Sequence, residues 1–424
     1  MSAAPDHPRD PVGWSGLLSF AFLALLLVRL GIPSTPFFDE VHYLPAARVI
    51  ADLSHVTNQE HPLLGKEIIA LGMMLFGDNP HGWRIFSALA GAVTLFAFMR
   101  ALWFAQGTRF AALAGGVLLA SGFLLFIHAQ IAMLDIFMVC FMMIALWMCA
   151  GACREPETGR WRLAVAGVAL GLAMAAKWNA VPVAMLPGLA FLAARLASAG
   201  PRVLTAHRGW PVPGMTLAEA VLWLGLVPLA AYCLTYLPAF FYQRDALTPG
   251  SFIAYHQRML ELQAMTVERH PYQSRWLDWV LNLRAIWYLY ENVDGAQRGV
   301  MLIGNPLTML AGLPALAWCG VAGIFRRHRP ALAVFVLYAV SLGMWWFTAK
   351  PVQFYYHYFL PSCFLLAALA LALDALWQRG RRKLAMAAVA GSVALFAYFY
   401  PILSAAALLD PQDFLYWAWL ESWR

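Results

Sequence analysis

The chain has 424 residues, 62% of them hydrophobic and only 12% charged, with a formal charge of +7. Stretches such as "LLSFAFLALLLVRL" are apolar all round, which excludes a soluble globular protein and predicts an all-α polytopic membrane protein. The basic residues are dispersed among short loops and form no nucleic-acid patch, so membrane topology accounts for them better.

In chain order, the opening "MSAAPDHPRDPVGW" lacks a strongly basic n-region, so the first apolar run reads as a retained helix and not a cleaved signal. Spans are expected near 14–30, 83–104, 110–127, 133–150, 161–176, 181–196, 220–241, 300–325, 331–347, 354–377 and 384–400, eleven in all. Cys140, Cys149, Cys153, Cys233, Cys319 and Cys363 lie in or beside these runs without a C-x-x-C pair and read as packing residues. Lys and Arg near span ends stay cytoplasmic. With the N-terminus inside, each inside loop is basic: Arg100 and Arg109, then Arg154, Arg160 and Arg162, then Arg195, Arg202 and Arg208, then Arg326, Arg327 and Arg329, then Arg379, Arg381, Arg382 and Lys383. The other face receives segments 31–82 and 242–299 and short turns at 128–131, 177–180 and 348–353. No repeat or long linker is evident, and 1–424 is read as a single domain.

Segment 31–82 opens with "PSTPFFDEVHYLPAAR", an acid pair, Asp39 and Glu40, beside His42 and Tyr43. Further on, "HPLLGKEIIALGMMLFG" starts with a proline suited to a first helical turn and carries Leu64, Ile68, Leu71 and Leu75 at helical spacing. A helix over 62–76 covers only about 22 Å, short of the roughly 30 Å hydrocarbon layer, so it should lie on the membrane surface. "VHYLPAARVIADL" is expected to form a second, shorter interfacial helix.

The ordinary role for Asp39 and Glu40 is a solvated loop acid or a helix cap. Against it, ionisable groups at the mouth of a membrane bundle are expensive, and other polar clusters converge on the same face. Adjacent helical residues point about 100° apart, so the two acids are expected to have different roles. Lys66 and Arg84 could merely snorkel and His61 merely cap, yet their nearness to the acids fits anion binding. "AMLDIF" and "AAKWNA" place Asp135, Lys177 and Trp178 at span ends, where each alone is a weak signal. The long outer segment adds His270, Tyr272 and Arg275, and "KPVQFYYHYFLP" adds Lys350, Tyr355, Tyr356 and His357. Asp-x-Asp, Walker, H-E-x-x-H and G-x-S-x-G motifs are missing. Acids for base work and cations for phosphate, without a nucleotide motif, point to a lipid-phosphate substrate.

The segments "FFDEVHY", "HPLLGK", "LFGDNPHGWR", "AMLDIF", "AAKWNA", "SFIAYHQRML", "HPYQSRW", "IGNP" and "FYYHYFLP" occur in the order of the protein O-mannosyltransferase family, which the chain resembles from Pro36 to about Leu373. It departs in having Leu63 where the family usually shows a second proline, and segment 242–299 is too short for the lumenal domain of eukaryotic members. It is similar to a compact prokaryotic-type member. The resemblance implies a GT-C glycosyltransferase fold and inverting transfer of a hexose, typically mannose, from a polyprenyl-phosphate carrier to a Ser or Thr hydroxyl of protein at the outer face. In a bacterium that face would be the periplasmic side of the inner membrane. Carried onto matching positions, Asp39 would be the base or the acceptor-orienting carboxylate, with Glu40 supporting it and Asp135 a second site acid. Arg84, with His61, Lys66 and Lys177, would hold the donor phosphate. His42, Tyr43, Trp178, His270, Tyr272, Arg275, Tyr355, Tyr356 and His357 would contact substrate. The scheme calls for no metal or other cofactor and no nucleic-acid partner. An enzyme passing the sugar to a lipid or glycan, as aminoarabinose transferases do, is the nearest alternative. A transporter or flippase fits less well, because the charges gather at one face and not at the midplane.

Overall fold

The computed structural model describes residues 9–207, 209–265, 270–348 and 350–424. Arg208, counted above among the inside cations, and residues 1–8 of the opening stretch lie outside them. The first half runs α1 (Val12–Leu27), α2 (Glu40–Ala51), α3 (Leu64–Phe76), α4 (Pro80–Gln106), α5 (Arg109–Ala120), α6 (Leu124–His128), α7 (Leu134–Arg154) and α8 (Gly159–Ala176). Then come α9 (Val181–Ala184), α10 (Leu186–Ala199), α11 (Leu217–Val221), α12 (Val227–Leu234), α13 (Phe252–Ala264) and α14 (Trp276–Val280). After a hairpin of β1 (Ile286–Val293) and β2 (Ala296–Leu302), the chain closes with α15 (Pro306–Arg326), α16 (Arg329–Phe347), α17 (Phe359–Gln378) and α18 (Arg382–Leu403).

Local chemistry sets several of these starts. The Asn79 side chain accepts from the amides of His81 and Gly82, and Pro80 occupies the first turn where its missing N–H costs nothing, so α4 begins there. Thr108 caps α5 and Asn305 caps α15 in the same way.

Among the described residues, eight helical stretches are long and apolar enough to cross a membrane. They are Pro80–Gln106, Leu134–Arg154, Trp178–Arg202, Leu217–Phe241, Pro306–Arg326, Arg329–Phe347, Tyr355–Gln378 and Arg382–Leu403. α1 and α5 are apolar but shorter, and the helix expected at 161–176 is present as α8. α7 lies at the centre, packed on both α4 and α8, while α17 packs on α5, α15 and α16 and is almost wholly buried. The helix Leu217–Phe241 is mostly exposed, as suits a lipid-facing edge.

The hairpin departs from the expected all-α fold. Its first strand, "IWYLYENV", is rich in aromatic and β-branched residues, and Asp294 and Gly295 both take positive φ (50° and 72°), the geometry of a tight primed turn. The span expected from 300 therefore begins after Asn305, because residues 300–302 pair with β1.

The short helix expected near 62–76 is present as α3. Leu71 and Leu75 of its leucine stripe face outward, and the opposite side, with Gly65, Lys66, Ile69, Gly72 and Met73, packs inward. Glycine is what permits that approach: a Cβ on Gly72 would stand 2.3 Å from the Gly82 carbonyl oxygen at the start of α4. This contact fixes α3 against the end of the bundle where α2, α4 and α7 begin and α8 finishes.

Candidate active site

The two acids of the opening motif diverge. Glu40 is fully buried in the first turn of α2, and its carboxylate accepts both Nε and Nη2 of Arg84 at 2.8 Å. It also accepts the amides of Ala132 (2.9 Å) and Phe37 (3.3 Å). Arg84 donates its remaining N–H groups to the carbonyls of Leu30 (3.1 Å), Pro33 (2.7 Å) and Thr35 (3.3 Å). A guanidinium has five N–H donors, and all five are spent here. Arg84, expected to hold the donor phosphate, has every donor engaged within the protein, where it braces the loop 30–35 and Glu40.

Asp39 is half-buried, and its carboxylate accepts no hydrogen bond from any described residue. Burial raises its carboxyl to about 6. Lys177, His42 and Lys350 pull it down and Asp135 pushes it up, so these are its charged neighbours. Lys177, just past the end of α8, donates to Asp135 in the first turn of α7 at 2.6 Å, and both side chains are buried. Each sits at the helix end whose partial charge favours it. The second Asp135 oxygen, Oδ1, is buried without a hydrogen-bond partner among the described residues, and the Lys177 ammonium lies 4.9 Å from the Tyr356 ring centre.

Lys350 was visible in the sequence only as part of an aromatic stretch. The structure brings its half-buried ammonium into the field of Asp39 and Asp135 with no ion pair or hydrogen bond to any described residue. Burial first, and then Lys177, lower its pKa to about 8, while Asp135 and Asp39 oppose the shift. A cationic residue on an outer turn, next to a proline and before a Tyr-Tyr-His-Tyr run, was the available signal.

Lys66 is fully buried and pins the preceding loop, donating to the carbonyls of Asn58 (2.6 Å) and His61 (3.0 Å). Burial lowers its pKa to about 7, against the pull of Glu60 and Glu67. It anchors the loop through these two bonds. Burial, and then Lys177, Lys350 and Lys66, hold the His61 ring well below its ordinary pKa, so it is a neutral hydrogen-bonding group beside Tyr43 (ring centres 6.0 Å apart). Gln263 of α13 donates to its Nδ1 at 3.3 Å.

The remaining expected contacts divide. His42 is exposed next to Asp39, and Tyr43 is buried beneath it. Trp178 donates to the Tyr232 hydroxyl (2.9 Å), which is 2.8 Å from His256 Nε2, so it ties the Lys177 turn to α12 and α13. Tyr356 lies between Lys177 and Phe38, whose ring centre is 6.0 Å away. Tyr355 and His357 face inward. The Tyr355 hydroxyl meets Asn282 Oδ1 and the Gly304 amide, and His357 packs on Trp345 with ring centres 4.0 Å apart. Both of these expected substrate contacts are buried and packed against other side chains. His270 and Arg275 are exposed, and together with Gln273, Ser274 and Asp278 they line a groove next to the site. It is joined to Tyr356 through Phe354, 5.2 Å from His270 and 5.4 Å from Tyr356. Tyr272 packs against His270, 5.8 Å away.

The fold matches solved structures of membrane sugar transferases. A chain of the S. cerevisiae protein O-mannosyltransferase Pmt1–Pmt2 complex, bound to the sugar donor, superposes with a TM-score of 0.79 at 15% identity, covering 92% of this chain and 90% of that one. ArnT from Cupriavidus metallidurans, bound to undecaprenyl phosphate, gives 0.59 at 19% identity, covering 90% and 64%. The protein thus has the multi-span membrane fold of the GT-C class. Two family models match it, "Dolichyl-phosphate-mannose-protein mannosyltransferase" over 60–222 and "C-terminal four TMM region of protein-O-mannosyltransferase" over 249–423. Polyprenol-phosphate-mannose–protein mannosyltransferases of Mycolicibacterium smegmatis and Mycobacterium tuberculosis are 28% and 29% identical to it across 97% of its length, and 93% and 92% of theirs. The chain belongs to the protein O-mannosyltransferase family.

Proposed function

We propose that the chain transfers mannose from a polyprenyl-phosphate carrier to a Ser or Thr hydroxyl of protein, with inversion, at the outer face of a plasma membrane. The observation that carries this is the half-buried Asp39 carboxylate, without a hydrogen-bond donor among the described residues, with Lys350 and the Lys177–Asp135 pair around it. The family membership and the names of the relatives support the sugar, carrier and protein acceptor.

Each group has a task in this reading. Asp39 accepts the proton of the attacking hydroxyl as the new bond forms at the anomeric carbon. The bond from that carbon to the phosphate oxygen breaks, and the polyprenyl phosphate leaves with an added negative charge. Lys350 stabilises that charge from a fixed position, which costs no reorganisation at the moment of reaction. Lys177 contributes its field while Asp135 holds it in place. The half-buried Asp39 carboxylate also stabilises positive charge developing on the sugar ring. Lysine supplies the countercharge, so the scheme has no step that requires a metal, and protein treated with EDTA is expected to keep its activity. The groove of His270, Gln273, Arg275 and Asp278 is the proposed approach for the acceptor chain. The whole of 1–424 is proposed to act as one unit.

Incubation of the purified protein with radiolabelled polyprenyl-phosphate-mannose and membrane proteins tests the reading. Alkali-labile label on protein is expected. Label confined to lipid would overturn the acceptor, and no transfer from this donor by a folded protein would overturn the whole.

A further inference from the structure

We propose that the β1–β2 hairpin is the platform that aims the base, with Tyr288 as the positioning residue acting on Asp39 through Phe38. The inference rests on the reading of Asp39 as the base.

Phe38, the residue immediately before Asp39, has φ = 49°. A residue with a β-carbon is unfavourable there and persists only where its surroundings over-determine it. Two neighbours do so. The Phe38 ring stacks on Tyr288 of β1, with centroids 3.8 Å apart and planes 19° off parallel. Its edge meets Tyr356 at 6.0 Å and 76°. With its ring gripped in this way, Phe38 sets the direction in which the chain enters α2, and Asp39 is the next residue along.

The hairpin also holds the far end of the same loop. The Asp294 carboxylate in the hairpin turn accepts the Ser34 amide at 2.9 Å and its hydroxyl at 2.5 Å. The loop is thus fastened to the hairpin at residue 34 and again at residue 38. The hairpin in turn is braced by the chain's C-terminal segment. Trp287 Nε1 donates to the Trp423 carbonyl at 2.9 Å, Arg298 donates to the Ala405 carbonyl at 2.9 Å, and Gln297 pairs with Leu408. The hairpin and tail therefore form a fixed reference against which the base-bearing loop is aligned. Tyr288 itself is 4% exposed, and its hydroxyl lies 3.4 Å from His128 Nε2, a long contact beside the flat ring stack.

The test uses the full-length protein in detergent with polyprenyl-phosphate-mannose and an acceptor protein, measuring kcat, donor KM and thermal unfolding for each variant. Tyr288→Ala is expected to lower kcat on the order of 10- to 100-fold through loss of alignment, with donor KM unchanged. Tyr288→Phe, which keeps the ring, is expected to recover most of the rate. Adding Tyr288→Ala to Phe38→Ala is expected to cost nothing further, since the two act through one contact. If Tyr288→Ala does not fold, Tyr288→Leu, which keeps bulk without the flat ring, replaces it. A wild-type kcat in the folded Ala or Leu variant, or additive losses in the double variant, would overturn the proposal. Asp39→Asn separates the two levels. If it stays active, the reading of Asp39 itself fails; if it is inactive while the Tyr288 variants turn over normally, only the positioning role fails.

Discussion

At the scale of single residues, a carboxylate and a lysine that find no hydrogen-bonding partner among the described residues are costly features, and their juxtaposition gives the site its titration behaviour. In the proposed reaction Asp39 must be ionised to accept a proton, and burial places its pKa at about 6, so activity is expected to fall as the pH drops through that value. Lys350 must be charged to meet the phosphate, and burial places it at about 8, so activity should fall again as the pH rises through that value. A plot of kcat/KM against pH is expected to be a bell with limbs near about 6 and about 8, and Lys350→Arg should move the alkaline limb upward. Asp39→Asn should lower kcat by roughly 10²- to 10⁴-fold, the usual contribution of a positioned base, with an unchanged unfolding temperature. Lys350→Ala should lower kcat and weaken binding of polyprenyl phosphate together.

Between elements, the buried ion pair of Glu40 and Arg84 joins the start of α2 to the start of α4 and carries the loop 30–35 with it. Removing one partner leaves an unpaired charge in a dry site, so Arg84→Ala should cost about 3–5 kcal/mol of stability. The measurement is a thermal or denaturant unfolding curve in detergent. If Arg84 were instead a phosphate ligand, the variant would unfold normally and lose donor affinity alone. α3 depends on contact of a different kind. Gly72→Ala places a carbon 2.3 Å from the Gly82 carbonyl oxygen, a backbone atom that cannot swing aside. The variant should push α3 away from α4, loosen the Lys66 tether to residues 58 and 61, and lower both stability and turnover.

Across the whole molecule, charge is sorted by end. Asp39, Asp135, Lys177 and Lys350 gather where α2 and α7 begin, α8 finishes and α16 gives way to α17. Arg100, Arg154, Arg162 and Arg326 stand at the opposite ends of their helices. The inside-positive tendency predicts that the proposed site lies on the non-cytoplasmic face, which cysteine labelling tests. In a variant lacking the six native cysteines, a single cysteine at Asp245 should react with a membrane-impermeant maleimide in intact cells. One at Arg381 should react only after the membrane is opened, and the reverse pattern would invert the topology.

Apolar runs of bilayer length, basic loops on one side and an acid pair ahead of a short amphipathic helix were legible directly, because the bilayer imposes length and charge rules that act on the sequence itself. So was the membership of Asp39, Asp135 and Lys177 in one polar cluster, through the spacing of their motifs around helix ends. The sequence could not show which charges would be consumed by one another. Arg84 and Lys350 look alike as side chains, yet Arg84 is spent on Glu40 and three carbonyls while Lys350 meets no partner among the described residues, a difference created by residues 44 to 54 positions from Arg84. The hairpin and its grip on Phe38 were hidden for the same reason: stacking between residues 38 and 288 is a contact made only when the chain folds back on itself.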